Sequence, residues 1–443
     1  MASTQLNKAV QRVGSDAVTK MTYSVWIKRS GLGEAEIFSA HQLSSYYTDF
    51  YFNSSDRLQL YSYINSSGAA ELVTQRLFRD TNAWYHIVLV VDTTLSTASD
   101  RIKFYINGVR ETVFNGGVTY PSQGSSFGQF NDTGATLYIG NNPNRTAFSG
   151  SMSYSIYTPY TASDASPFGS TDSTTGEWKI NTSPTPTYST AGFFILKDGN
   201  SVTDQSGNGN NFTVGAGTLT KTEDCPSNVF ATLNPLDNQN QGSTLTVGNN
   251  KIEWNTDNKN NFTTLAMNAG KYYWEMKYVI TTGGQNAMIG VSKLDTRQGD
   301  SYAGHDGNSW SYYSNSGQKY HNGSGTSYGN SWGTDNIIGV AFDTNTRTIW
   351  FSKDGVWQNS ATISEIAAGT TTNSAYTGIG TAGEFFIPCM SGYDGNKAAF
   401  NFGNGYFSTT AVSSAGTNAS GNGIFEYDVP TGFTALSTKG LNL

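Results

Sequence analysis

Two stretches of the chain follow the same order. Residues 337–357 read IIGVAFDTNTRTIWFSKDGVW, and residues 87–109 read IVLVVDTTLSTASDRIKFYINGV. Each opens with an apolar run that ends at an acidic residue, Asp343 or Asp92. A polar turn follows, then an alternating run, then Asp-Gly or Asn-Gly. A short run that is apolar on both faces suits a strand buried between two sheets, and strict alternation suits a half-buried strand. Ile102, Phe104 and Ile106 then share one face, and Lys103 and Tyr105 the other; Ile349 and Phe351 repeat the pattern. Asn107-Gly108 and Asp354-Gly355 are two-residue hairpin signals, because both turn positions tolerate positive φ. Each stretch is predicted to be a three-stranded meander in the core of its own β-sandwich.

The remaining sequence agrees. With 443 residues the chain exceeds what one core usually holds. Its 49 glycines, 13% aromatic residues and only 13% charged residues fit short strands joined by polar turns. The best helix candidate is the N-terminus, with Leu6, Val10 and Val13, and the period is not kept beyond it. The predicted fold class is all-β, two tandem antiparallel sandwiches. A Pro/Ser/Thr cluster at 182–190 and the run LDNQNQGS at 236–243 mark boundaries. They place a first sandwich at 1–190, a connector at 191–240, a second sandwich at 241–408 and a tail at 409–443. Phe425, Tyr427, Val429, Phe433 and Leu436 give that tail apolar side chains to bury, and docking across the domain junction is expected.

Net charge is −7 and the basic residues are scattered, which disfavours nucleic acid as a partner. No stretch is long and apolar enough for membrane insertion as a helix. The N-terminal residues lack the apolar core of a signal peptide, so the Asn-x-Ser/Thr triplets at Asn53 and Asn211 are expected to be incidental. Cys225 and Cys389 are expected to be free thiols.

MTYSVWIKRSGLGEAEIFSA (21–40), AWYHIVLVVD (83–92), IKFYINGVRE (102–111), LYIGNN (137–142) and FSGSMSYSIYTP (148–159) resemble, in order, the strands of a laminin-G/pentraxin-like, concanavalin-type jelly roll. KYYWEMKYV (271–279), MIGVSK (288–293), the 337–357 meander, FFIPCMSG (385–392) and AAFNFG (398–403) resemble the successive motifs of a SPRY domain. DSTTGEWK, DQSGNGNNFT, CPSNVFATLNPLD and FEYDVPTGFTALST are similar to connector and tail phrases in virion proteins of marine tailed bacteriophages, which place a laminin-G-like domain before a SPRY-like one. The resemblance implies a non-enzymatic structural protein on the exterior of a phage virion, as a fibre, tail appendage or capsid decoration. It would be made in a host cytoplasm and released by lysis. Other virion proteins, a host-surface glycan or protein, and further copies of the chain are the implied partners. A carbohydrate-active enzyme with a jelly-roll catalytic domain is the rival reading, and a cytoplasmic SPRY adaptor the third.

Catalysis on a jelly roll would need two carboxylates facing each other across a cleft. Glu34 and Glu36 share a strand face by spacing, but they follow a Gly-rich turn and are expected to be rim charges. Of the four histidines, His86 is expected to be structural; His305-Asp306 and His321-Asn322 flank a loop and could hold a metal, but their spacing matches no standard zinc pattern, and solvated loop histidines are expected. No cofactor is expected, although the resemblance allows calcium on rim loops, with Asp92, Asp132 and Asn141 as oxygen donors. Turn chemistry explains those residues equally well.

Residues 301–333, SYAGHDGNSWSYYSNSGQKYHNGSGTSYGNSWG, carry aromatic rings among Gly, Ser and Asn, the mixture of rigid anchors and short hydrogen-bonders used by binding loops. Trp310, Tyr312, Tyr313, Tyr320, Trp332, His305 and Asp306 are the candidate ligand-binding residues. Within SWSYYS, Trp310 and Tyr312 also suit inward packing. Trp332 and Tyr320, flanked by small polar residues, are the expected anchors.

Overall fold

The structure, a computed structural model, describes residues 5–9, 18–44, 46–64, 67–131, 134–197, 202–237, 242–281 and 284–442. The chain divides into two compact units, Met1–Lys221 with Cys225–Ser227, and Thr222–Asp224 with Asn228–Leu443.

The first unit is a sandwich of two antiparallel sheets. One has seven strands in the order Thr213–Ala216, Gln5–Ala9, Thr136–Ile139, Ala35–Leu43, Tyr46–Phe52, Leu58–Ile64 and Ser67–Val73. The other has six, Phe193–Ile195, Gly150–Pro159, Lys20–Arg29, Trp84–Asp92, Ile102–Ile106 and Val109–Arg110. The predicted meander is the last part of this second sheet. Its hairpin turns at Asn107 and Gly108, with φ of 48° and 79°. Ile102, Phe104 and Ile106 enter the core with Ile87, Leu89 and Val91. Outside the same sheet, His86 is buried against Trp178. The Trp178 Nε1–H donates to His86 Nδ1 at 3.0 Å, so Nε2 carries the ring proton and donates to Ser24 Oγ at 2.8 Å. Burial pushes the imidazole down to about 3.

The second unit pairs an eight-stranded sheet with a six-stranded one. The larger runs Ser243–Thr246, Lys251–Trp254, Lys397–Asn401, Lys271–Val279, Ile337–Asp343, Thr348–Lys353 and Val356–Trp357, with Thr434–Ala435 added in parallel beside Tyr272 and Tyr273. The smaller runs Lys259–Phe262, Phe386–Gly392, Met288–Lys293, Ser309–Tyr313, Gln318–His321 and Ser324–Ser327. The second meander turns at Asp354 and Gly355, with φ of 48° and 78°. Here both faces of the middle strand are covered. Ile349 and Phe351 pack between the sheets, while Trp350 points the other way and packs with Phe425, Val429 and Phe433.

Three expectations change. Leu6 lies in a strand, not a helix, and is paired with Ile139; Val10 and Val13 fall outside the described residues. The stretch 191–240 is not a separate connector. Phe193, Ile195 and Phe212 belong to the first core, whereas Ala231 and Leu233 belong to the second. These apolar clusters are too short to announce strands. The tail docks on the second sandwich, where Phe425, Val429 and Phe433 cover the outer side of the larger sheet. Cys225 and Cys389 are buried thiols that are not joined in a disulfide.

Glu275 pins that tail. Its Oε2 accepts the Glu426 amide and its Oε1 the Tyr427 amide, each at 2.9 Å. Tyr273 Oη–H (3.0 Å) and Asn401 Nδ2 (3.2 Å) also donate to the carboxyl. Burial outweighs these donors and pushes the Glu275 carboxyl up to about 7. A carboxyl raised in the folded state contributes most below its unfolded value, and this contribution is lost as pH rises to the folded one. Stability against urea is therefore expected to fall between pH 4.5 and about 7 and to level off above. Glu275→Leu should abolish this part of the slope. It should also cost about 1–3 kcal/mol through the unpaired tail donors, with protease cleavage in 409–443 reporting the loosened tail.

Candidate binding faces

The segment 301–333 splits between two sides of a sheet. Along Ser309–Tyr313, Trp310 and Tyr312 point between the sheets, where they are 7% and 0% exposed. Trp332 is also 0% exposed and is no surface anchor. Its amide donates to Ser314 O at 2.8 Å, which fixes the backbone at the strand end. Its ring packs edge-on to Tyr278, 5.4 Å between centroids, and 5.9 Å from Tyr312. The small residues around Trp332 describe its turn, and the indole goes to the core. Asp306 is occupied as a turn cap, since its Oδ1 accepts Ser309 Oγ at 2.7 Å and the Asn308 amide at 3.2 Å. His321 stacks on Trp310 at 4.6 Å.

The other side carries the remaining candidates. Tyr313 and Tyr320 lie on neighbouring strands with ring centroids 5.3 Å apart. Tyr302 joins Tyr320 at 6.3 Å, and the exposed His305 meets Tyr302 edge-on at 5.0 Å. These half-buried rings cover Phe262, Met288, Ile387 and Cys389. Tyr302 was missed in the sequence because it stands outside any strand pattern.

A larger aromatic face lies on the first sandwich. On Tyr46–Phe52 and Leu58–Ile64 the core takes Phe50, Phe52, Leu58 and Leu60. The alternate positions Tyr47, Tyr61 and Tyr63 are half-buried on the outer face of the sheet. Tyr47 lies 6.1 Å from Tyr61 and 5.5 Å from Tyr63. His41 stacks on Tyr47 at 5.1 Å and meets Tyr138 edge-on at 5.9 Å. The signal was present as the period-two tyrosines of YYTDFYF and LQLYSYI, but periodicity alone reads them only as strand.

Beside this face sits a buried polar network. Glu36 and Asp49 are both 0% exposed, so Glu36 is not the rim charge its spacing suggested. Asn142 Nδ2 donates to Glu36 Oε2 at 2.7 Å, to Ser39 Oγ at 3.1 Å and to Asp49 Oδ1 at 3.3 Å. His41 Nε2 lies 2.5 Å from Asp49 Oδ1, and Arg145 Nε donates to Asp49 Oδ2 at 3.0 Å. Arg145 also reaches Glu34 at 3.4 Å and lies 4.0 Å above the Tyr51 ring. Burial first, then the Asp49 charge, raises the Glu36 carboxyl well above the usual range. Two acidic side chains thus lie side by side, but Asn142 and Arg145 cover them. Hydrolysis of a glycosidic bond needs both groups open to the sugar.

For the calcium expectation, Asp92 caps its own turn through the Thr94 amide and hydroxyl and pairs with Lys20 at 3.4 Å. Asp132 lies outside the described residues. Among the described residues no group of three or more His, Cys, Asp or Glu side chains is placed to hold a metal.

The two placements separate by measurement. Trp332→Ala should cost about 3–5 kcal/mol in urea unfolding, the loss for a buried tryptophan. Tyr320→Ala should cost less than about 1.5 kcal/mol, because its ring is only half covered.

Comparison with known proteins agrees with both architectures. The SPRY domain model matches residues 271–405. The model described as the concanavalin A-like lectin/glucanases superfamily matches residues 5–158. No curated protein sequence matches the chain. Among solved structures, the SPRY domain of human HERC1 is 21% identical over 38% of this chain and 96% of its own, with a TM-score of 0.30. The TRIM65 PSpry domain is 16% identical over 39% and 91%, with a TM-score of 0.30. Stonustoxin is 19% identical over 39% of this chain and 27% of its own, with a TM-score of 0.29. The chain is a concanavalin A-like domain followed in tandem by a SPRY domain.

Proposed function

We propose that this protein is a non-enzymatic attachment protein on the exterior of a phage virion, and that its first sandwich holds a host-surface glycan on the tyrosine face. The observation that carries the reading is the group of Tyr47, Tyr61, Tyr63, Tyr138 and His41 on one sheet face. Rings with hydroxyl tips offer a flat apolar surface to the C–H side of a sugar and hydrogen bonds to its hydroxyls. Arg145 is held by Asp49 and Glu34, so the cation beside the face is already paired.

Binding without hydrolysis is supported by the sealing of Glu36 and Asp49 beneath Asn142 and Arg145. The virion setting is supported by the phage-like phrases at the connector and tail, which a cytoplasmic adaptor leaves unaccounted for. Concanavalin-like and SPRY domains are often interaction modules, and the SPRY domain is assigned to other virion proteins through the Tyr302, Tyr313 and Tyr320 side.

Mass spectrometry and imaging of purified particles should find the protein on their exterior; its absence there would refute the virion reading. The combined change Tyr61→Ala and Tyr63→Ala should reduce adsorption of the protein to host cells about tenfold, at roughly 0.5–1.5 kcal/mol per ring. The melting temperature should stay close to that of the unaltered protein. Unchanged adsorption would remove this face from the function.

A further inference from the structure

Two strands that end their sheets are exposed and uncharged. Ser324–Ser327 ends the six-stranded sheet of the SPRY domain and, among the described residues, pairs only with Gln318–His321. The hairpin between them turns at Asn322 and Gly323, with φ of 52° and 70°. A two-residue turn of this kind makes His321 and Ser324 the first hydrogen-bonded pair. Alternation then turns the N–H and C=O of Thr326 inward and those of Gly325 and Ser327 outward. The outward groups meet no partner among the described residues.

This edge lacks the usual protection. Between Asn322 and Trp332 there is no charged residue and no proline, whereas natural edges commonly carry one or the other. Past Ser327 the chain forms one wall of a groove of about 490 Å3, with Val356–Ser360 as the other wall. Val356 in that groove is 66% exposed.

The second edge ends the seven-stranded sheet of the concanavalin-like domain. Among the described residues Thr213–Ala216 pairs only with Gln5–Asn7, with a register shift between Gln5 and Leu6 that leaves Gly215 without an opposite residue, and all four of its residues are exposed. It too carries neither charge nor proline, and its Val214 is 44% exposed.

We propose that Thr213–Ala216 of one copy of this chain adds as an antiparallel strand to Ser324–Ser327 of a second copy, seating Val214 against Val356. Backbone N–H and C=O groups at strand spacing are matched only by another strand, and the chain itself supplies one that is uncharged, extended and exposed. The two exposed valines give the joint an apolar centre. The contact is heterologous, so each joined pair still presents one free edge of each kind, and addition propagates into a ring or a filament. A ladder of four residues is small beside the roughly 1,200–2,000 Å2 of a stable complex, so assembly requires high protein concentration.

Sedimentation velocity of the full chain, from low micromolar to its solubility limit, tests this. The unaltered protein should grow beyond a dimer as concentration rises. Ser327→Pro removes only an outward-facing N–H, and Val214→Asp puts a charge at an exposed position. Each should shift assembly at least about tenfold in concentration, with melting temperature unchanged. Val356→Asp should act in the same way and serves if Ser327→Pro misfolds. An equimolar mixture of Ser327→Pro and Val214→Asp should stop at a dimer, because each supplies the edge the other lacks. A monomer at every concentration, variants that assemble like the unaltered chain, or a mixture that stays monomeric would each overturn the proposal.

Discussion

A strand turns successive side chains to opposite faces, and each face must meet water or a cover. Ile102–Ile106 meets the rule with two layers, core on one side and half-exposed Lys103 and Tyr105 on the other. Thr348–Lys353 cannot, because Ile349, Trp350 and Phe351 are consecutive and all fully buried. A third layer is required there, and residues 425–436 provide it. Glu275 lies at the centre of that layer because the backbone of an irregular segment brings amides that need an acceptor. The SPRY domain is therefore thicker than its two sheets.

The same rule explains both aromatic faces. Tyr47, Tyr61 and Tyr63 are outward because Thr48, Leu60 and Ser62 are inward. Tyr313 is outward because Tyr312 is inward. In each case the core determines which rings remain available for a ligand. This is why the 301–333 segment could not serve as one surface: Trp310, Tyr312, Tyr328 and Trp332 lie in the core, and only Tyr302, Tyr313 and Tyr320 are on the other side.

The meanders were legible in the sequence because period-two alternation and Asn-Gly or Asp-Gly turns are local signals. The SPRY-like motif order was legible for the same reason. Phe193–Ile195 and Thr434–Ala435 were not, since strands of two or three residues have no period to read and owe their conformation to the sheets they join. Trp332 was misread because its neighbours report backbone geometry, while the ring follows the space left beneath Tyr278 and Tyr312. Glu36 was misread for a different reason. Its burial depends on Asn142, 106 residues away, and on Arg145, which is 96 residues from Asp49. No local pattern announces partners at that distance.

The third layer has a consequence for biosynthesis. Glu275 and the amide it holds at Glu426 are 151 residues apart. At roughly 5–20 residues per second, the strand at 271–279 leaves the ribosome on the order of ten seconds before its cover exists. During that interval Tyr273 and Trp350 have no lid, and a nascent chain exposes an aromatic sheet face to its neighbours. The concanavalin-like domain, whose described elements end by residue 216, can close before the interval begins. Translation thus orders the two halves in time, and the later half passes through a stage in which crowding by sister chains is most hazardous.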